Sequence, residues 1–285
     1  MSNTTILITG ADGMLGRELT WQLRQFNYEI LAADVENCDF ILDITDKRAV
    51  LDFITEHKPS IVFNCAAWTD VDGAENFEAA AKAVNGDGPG YLAGACKVID
   101  ALFVHVSTDY VFDGTGQAPY KPDDPVNPKT AYGRSKLLGE QQIQSVGGHW
   151  LIVRTSWLVG GNGKNFVDTI ADVARGRDSI KVVNDQIGCP TFVPQLATCL
   201  INLAQKNCQG IYHFCNSPAC SWFDLAKLTV NLAKIDCRVA PCATAEFPRP
   251  APRPAYSVLD CTKTLEKLDW QPTTWPDALR MYLDK

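Results

Sequence analysis

The run Thr4–Thr9 (TTILIT) is apolar and β-branched. It passes directly into Gly10-Ala-Asp-Gly13-Met-Leu-Gly16, after which Leu15, Leu19 and Leu23 recur on one helical face. A buried strand that turns into a helix through three glycines can be built in few ways. Gly10 permits the tight turn, Gly13 lets a ligand phosphate approach the backbone, and Gly16 lets the helix pack close to the strand. The start of that helix offers unpaired N–H groups and the positive end of its dipole, which together favour an anion. A glycine triplet alone also marks a plain turn. Its place between the first strand and the first helix is what points to a dinucleotide, with Met14 and Leu15 as contacts in the same turn.

The alternation continues. The patterns predict a helix over Met14–Phe26, a strand over Tyr28–Ala33, and a helix over Asp46–His57 opened by Thr45 or Asp46. They then predict a strand over Ser60–Cys65, one long Ala-rich helix over Glu75–Lys97, a strand over Ala101–Ser107, a helix over Ala131–Ser145 and a strand over Trp150–Thr155. Apolar strands alternating with amphipathic helices call for a parallel sheet covered on both faces. The expected fold class is α/β, a doubly wound, Rossmann-like parallel sheet, with residues 1–155 as the dinucleotide-binding domain. Beyond it proline and irregular pieces become frequent, as in Glu246–Pro254. Residues 156–285 are expected to form mainly a smaller C-terminal substrate-binding lobe, with crossings back to the sheet allowed and helices over Asp224–Lys234 and Trp275–Leu283.

Bulk properties narrow the partners. Of 285 residues, 46% are hydrophobic and 21% charged, which calls for a packed core. A net charge of −7 argues against a nucleic-acid partner. No apolar run approaches the ~20 residues of a membrane helix, and Met1–Ile8 reads as the start of a strand rather than a signal peptide. The eleven cysteines include no C-x-x-C pair, and Cys65, Cys96 and Cys199 fall in apolar patterns. Buried or incidental thiols in a reducing cytoplasm are expected in preference to a disulfide framework or a metal cluster.

The candidate site residues lie at strand ends, where open parallel sheets bind ligands. Asp34 ends the second strand. A carboxylate there hydrogen-bonds ribose hydroxyls and repels a 2′-phosphate, which leans to NADH; a solvated loop acid is the plainer alternative. Asp43 and Ile44 can flank the adenine. Ala66 and Ala67 are small enough for a cofactor to lie against backbone, beside Trp68, which also fits simple packing. Thr108 ends a strand, where its hydroxyl can reach a substrate carbonyl. Tyr132 and Lys136 share a helix face at i and i+4, and an ammonium there is expected to lower the phenol's pKa from about 10. Y-x-x-x-K is frequent by chance, and the glycine turn and Thr108 give it meaning as a proton-transfer pair, with Lys136 also able to hold a nicotinamide ribose.

These three features resemble the extended short-chain dehydrogenase/reductase superfamily. Longer strings narrow the resemblance: Asn64–Glu75 (NCAAWTDVDGAE), Ser107–Gly114 (STDYVFDG), Arg154–Trp157 (RTSW), Asn184–Thr191 (NDQIGCPT) and Arg253-Pro254. They are similar to the dTDP-4-dehydrorhamnose reductase family from the first strand to about Arg253. The resemblance implies reduction of the C4 ketone of dTDP-4-dehydro-β-L-rhamnose by NADPH or NADH, with Tyr132 as proton donor, Lys136 as its support and Thr108 on the reacting oxygen. It also places Asp109 and Trp157 at the substrate and makes Arg253 a candidate for the diphosphate. A packed strand-end aromatic and a surface charge are the plainer readings of Trp157 and Arg253. Some members of the family hold Mg²⁺ through glutamates near a dimer contact. Glu18 matches one such position, but Pro194 stands where another acid is expected, so a complete metal site is not expected; a homodimer is allowed.

Two rivals share the scaffold. Nucleotide-sugar dehydratases commonly carry Asp-Glu after the strand-end Thr, whereas Thr108 precedes Asp109-Tyr110 here; epimerases are a related alternative. The NADP-binding regulatory β subunit of methionine adenosyltransferase resembles the same reductases without being an enzyme. The intact Thr108, Tyr132 and Lys136 set argues for catalysis.

Overall fold

Strands that read as unbroken apolar stretches must be covered on both faces, and these strands are. The computed structural model describes residues 4–26 and 28–284; Met1–Asn3, where the sequence reads as strand, lie outside the described residues. The chain opens with β1 (Thr4–Thr9), α1 (Met14–Leu23), β2 (Tyr28–Asp34), β3 (Phe40–Ile41), α2 (Lys47–His57) and β4 (Ile61–Asn64). It continues through α3 (Val71–Asn76), α4 (Glu78–Lys82), a π turn (Ala83–Asp87), α5 (Gly88–Val98), β5 (Leu102–Thr108), α6 (Ala131–Val146) and β6 (Trp150–Thr155). Next come β7 (Leu158–Val159), α7 (Phe166–Ala174), β8 (Ser179–Val183), β9 (Ile187–Gly188), β10 (Thr191–Phe192), α8 (Val193–Gln205) and β11 (Gly210–His213). The last elements are β12 (Cys220–Ser221), α9 (Trp222–Leu232), β13 (Arg238–Cys242), α10 (Thr262–Leu265) and α11 (Trp275–Leu283).

One seven-stranded parallel sheet runs β11-β6-β5-β4-β1-β2-β3. Side chains alternate between its faces. Ile6 and Ile8 pack with Leu19 of α1 and Leu200 of α8 on one side. Leu7, Val62 and Phe103 pack with Ile54, Leu92 and Ile143 of α2, α5 and α6 on the other. The strand order reverses between β1 and β4, and at such a switch point the loops part and leave a crevice. After β6 the chain leaves the sheet and builds three short strand pairs, β7 with β10, β9 with β12 and β8 with β13; between them α8 and β11 return to the large sheet.

The long helix expected over Glu75–Lys97 is not continuous. Phe77, at φ −125 and ψ 43, separates α3 from α4, and a π turn separates α4 from α5. Gly86, Gly88 and Pro89 remove the side-chain and N–H constraints that would hold regular winding there. The π turn carries Asn85 to a fully buried position. Its amide grips the Trp68 backbone at both ends, accepting from N and donating to O at 2.9 and 3.0 Å, and also donates to Ser135 Oγ on α6 at 3.0 Å. A side chain on Gly139 of α6 would strike the Asn85 carbonyl, so glycine there lets helix and turn touch. Elsewhere the ends match local chemistry. Asp46 caps α2 through the N–H groups of Arg48 and Ala49, and Ser221 with Asp224 forms a capping box that starts α9 slightly earlier than the expected Asp224.

Candidate active site

A groove of about 550 Å³ follows the switch point, a volume suited to a small molecule. Gly10, Gly13, Met14, Leu15, Gly16, Asp34, Asp43, Ile44, Ala66, Ala67 and Trp68 all line it. Every residue that the sequence suggested for a cofactor, apart from Tyr132 and Lys136, is thus brought to one surface. Gly10 has φ +69, and a Cβ there would overlap the Ala66 backbone; one on Gly16 would overlap the Gly10 carbonyl. The turn, the end of β4 and the start of α1 can approach only as glycine. A Cβ on Gly13 would meet only the Gly10 carbonyl, at a tight 3.3 Å, so its neighbours within the chain constrain it less than they do Gly10 and Gly16. Gly13 is the N-cap of α1 and offers no side-chain cap, and the first turn carries no acid. The helix therefore presents uncompensated N–H groups, as a dinucleotide's phosphates require. Asp34 accepts from the N–H groups of Asp12 and Val35 at 3.0 and 2.7 Å, which fixes its carboxylate at the groove wall.

The groove also takes in Cys65 and the segment Asn162–Lys164, which sequence reasoning missed. The signal for that segment was the glycine-rich string Gly160-Gly-Asn-Gly163, but it follows a two-residue strand and opens no helix immediately.

Beyond the groove lie Thr108, Tyr132 and Lys136. Thr130 caps α6 through the Gly133 N–H, which sets the helix beside the end of β5. Lys136 is only 2% exposed, and its Nζ donates to the Val106 carbonyl at 2.7 Å. Burial lowers its pKa to about 8, against the pull of Glu140 and Cys65. Tyr132 behaves differently from the sequence-based expectation. Burial pushes its phenol up to about 12, hydrogen bonding to Thr108 draws it back, and Asp109 pushes it higher. The expected lowering by Lys136 is not what the structure shows: burial of the phenol dominates, and the ammonium is engaged with the Val106 carbonyl. The phenol is thereby kept protonated, the state a proton donor needs. Burial also raises the Asp109 carboxyl to about 6, opposed by hydrogen bonds from Ser257 and Thr108. A buried pair beneath holds α6 to the sheet: Glu140 accepts from Arg154 at 2.9 and 2.7 Å and from Ser107 at 2.5 Å.

The two further substrate candidates are already engaged. Trp157 sits at φ +49, a strained region for a bulky residue, and stacks on Trp222 at 3.5 Å with 13° between planes. Arg253 donates to Asp72 at 2.8 Å and to the Ala251 carbonyl at 2.9 Å, beside Tyr110 and Lys129 in a small pocket. Lys129 is a cation the sequence gave no reason to single out. Glu18 accepts from Gln22, which also donates to the Pro194 carbonyl, and among the described residues no three His, Cys, Asp or Glu side chains gather as a metal site. All eleven cysteines are free thiols. Among the described residues no helix is long and apolar enough to cross a membrane.

Residues 4–285 match the family model described as the RmlD substrate binding domain. The spore coat polysaccharide biosynthesis protein SpsK of Bacillus subtilis is 41% identical over 99% of this chain and 98% of its own. The dTDP-4-dehydrorhamnose reductase of Streptomyces griseus is 44% identical over 89% of this chain and 84% of its own. The crystal structure of dTDP-4-dehydrorhamnose reductase from Bacillus anthracis, in complex with NADP, is 36% identical with a TM-score of 0.94, covering 99% of each chain. A family model matched over nearly the whole chain, and relatives of 41–44% identity, show that this chain belongs to the dTDP-4-dehydrorhamnose reductase family.

Proposed function

We propose that this chain reduces the C4 ketone of dTDP-4-dehydro-β-L-rhamnose to dTDP-β-L-rhamnose. The observation that carries this is a groove lined by Gly10, Gly13, Gly16 and Cys65, with Lys136 within electrostatic reach of Cys65 and, one turn back on α6, Tyr132 bonded to Thr108. Gly10, Gly13, Gly16 and the start of α1 take the pyrophosphate of NADPH or NADH, with Met14 and Leu15 beneath it. Asp34 faces the adenosine ribose, Asp43 and Ile44 the adenine, and Ala66, Ala67 and Trp68 the middle of the cofactor. A reduced nicotinamide supplies hydride to C4. Tyr132 gives its proton to the oxygen formed there, and Thr108 hydrogen-bonds that oxygen. Lys136, charged below about pH 8, supports Tyr132 as the source of its returning proton and holds the nicotinamide ribose.

On the sugar side, Asp109 and Trp157 form the wall and Arg253 the diphosphate contact, within a lobe drawn mainly from residues 156–285. The stacking of Trp222 on Trp157 and the pairing of Asp72 with Arg253 fix those two side chains in advance of substrate. Free buried thiols suit a reducing cytoplasm. The test is direct. Purified protein mixed with the 4-keto sugar nucleotide should consume NADPH or NADH, followed as loss of reduced-nicotinamide absorbance, with NADH preferred because of Asp34. Absence of consumption with both cofactors would overturn the proposal.

A further inference from the structure

Three buried polar residues stand in register across the sheet beneath the site. Thr9 on β1 pairs with Asn64 on β4, and Asn64 pairs with His105 on β5. They are 1%, 1% and 0% exposed. Polar groups in the middle of a parallel sheet are costly unless each donor finds an acceptor, so the row has a direction that can be worked out.

The Ala66 N–H and the Thr9 hydroxyl both meet Asn64 Oδ1, at 3.2 and 2.8 Å. A backbone N–H cannot accept, so the amide oxygen is fixed at that end and Nδ2 at the other. Nδ2 lies 3.0 Å from His105 Nδ1. An amide nitrogen only donates, so Nδ1 must keep its lone pair. Burial, and secondarily the charge on Lys136, hold the imidazole well below its usual pKa, so the ring is neutral and its one proton sits on Nε2. Nε2 lies 3.4 Å from Lys136 Nζ.

We propose that His105 is a positioning residue for proton transfer, its Nε2–H held against Lys136 so that the neutral amine is favoured over the ammonium. Opposite an ammonium, Nε2–H sets two donors face to face. Opposite an amine it makes a hydrogen bond, because the amine has a lone pair and still donates to the Val106 carbonyl. The other titratable groups acting on Lys136 are Cys65, just after β4, and Glu140 on α6, with Tyr132 one turn back on the same helix. Burial keeps the Cys65 thiol protonated, with a pKa of about 12, and Glu140 is bound by Arg154 and Ser107. The role rests on the proposed partnership of Lys136 with Tyr132. After Tyr132 has given its proton to the substrate oxygen, a proton lost from Lys136 balances the one that Tyr132 regains, and His105 stabilises the amine that remains.

The test uses the whole chain without substrate. The sequence has four histidines, so ¹⁵N-histidine spectra assigned with His105→Phe report the His105 tautomer directly. The expected result is Nε2–H, neutral throughout the folded range. An Nδ1–H tautomer overturns the proposal whether or not any variant folds. In His105→Phe the Lys136 midpoint, read by ¹³Cε-lysine titration, is expected to rise by about one unit, as loss of an opposed donor should allow. The alkaline limb of the reduction should move with it. An unmoved midpoint in a folded His105→Phe protein also overturns the proposal. Because the tautomer is read without turnover, an inactive protein with Nε2–H would count against the reductase function and not against this role.

Discussion

At Gly10–Gly16 the chain makes a binding surface from consecutive residues, whereas at Trp157 and Arg253 each side chain is fixed by a residue far along the sequence. Trp222 stacks on the first, and Asp72 pairs with the second. The glycine turn works through backbone, and its requirement is that Cβ atoms be absent at Gly10 and Gly16. Trp157 and Arg253, proposed for the sugar side, are side chains held by tertiary packing. Damage to the turn should therefore be abrupt, and damage to the wall graded. Tyr132 and Lys136, the proposed proton-transfer pair, line neither the groove nor the Arg253 pocket.

The largest effect is expected at this pair. Tyr132→Phe removes only the phenol oxygen; the ring can keep its edge-on contact with Tyr110, now at 5.6 Å between centroids. Turnover should fall by about 10²–10⁴, the usual worth of general acid help. Cofactor affinity, measured by fluorescence titration, should stay as in the unmodified chain. Wild-type turnover in this variant would remove Tyr132 from the chemistry.

Within the groove, two glycines should respond differently. Gly10→Ala puts a side chain into the Ala66 backbone at φ +69, and strain of this kind costs about 1–3 kcal/mol before any clash is counted. Thermal unfolding should move down clearly and cofactor binding should be lost with it. Gly13→Ala meets only the Gly10 carbonyl, at 3.3 Å and at negative φ, so the unfolding temperature should fall less than in Gly10→Ala while cofactor affinity falls, because the added methyl would stand where phosphate is proposed to approach. Equal losses of stability in both variants would mean that Gly13 serves the fold rather than a ligand.

This contrast also explains what could be read in advance. The groove was legible because strand, turn and helix are neighbours in sequence, and local rules govern each. The Thr108, Tyr132 and Lys136 set was legible for a similar reason: one strand end and one helix turn supply it. The break at Phe77 was not legible, since the Ala-rich run around it has good helix propensity; the π turn did leave a signal in Gly86, Gly88 and Pro89, which the single helix expected over Glu75–Lys97 passed over, but its burial of Asn85 depends on packing against Gly139 and Trp68. The direction of the Tyr132 shift was missed because the spacing of two residues on a helix does not reveal the burial of the phenol or the engagement of Lys136 with the Val106 carbonyl. Trp222 and Asp72 gave no signal, because each acts on a residue from another part of the chain.

The pH profile bears on the same pair. Lys136 has a pKa lowered to about 8 by burial, so it is charged below that pH and neutral above it. Tyr132, raised to about 12, stays protonated throughout. Reduction should thus be fastest below pH 8 and decline as pH rises past it, by about tenfold per unit if only the ammonium form is competent. The reverse oxidation of the alcohol should rise over the same interval. A flat profile through pH 8 in both directions would mean that the charge on Lys136 does not enter the step.

The smallest effect is expected at the wall. Trp222→Leu keeps an apolar side chain at the start of α9 but removes the ring that lies on Trp157. An aromatic pair is worth about 0.5–1.5 kcal/mol beyond the area it buries, which corresponds to roughly two- to tenfold in an equilibrium constant. If Trp222 serves to hold Trp157 against the sugar nucleotide, KM for that substrate should rise by such a factor. The cofactor's affinity should not change, because neither indole lines the groove. Trp157 would gain freedom to leave its φ +49 conformation, so the loss should come from a wall that is no longer preorganised rather than from a missing contact. A parallel loss of cofactor affinity would show instead that the two regions are coupled through the β7 segment, where Trp157 immediately precedes Leu158, one of the groove's own lining residues.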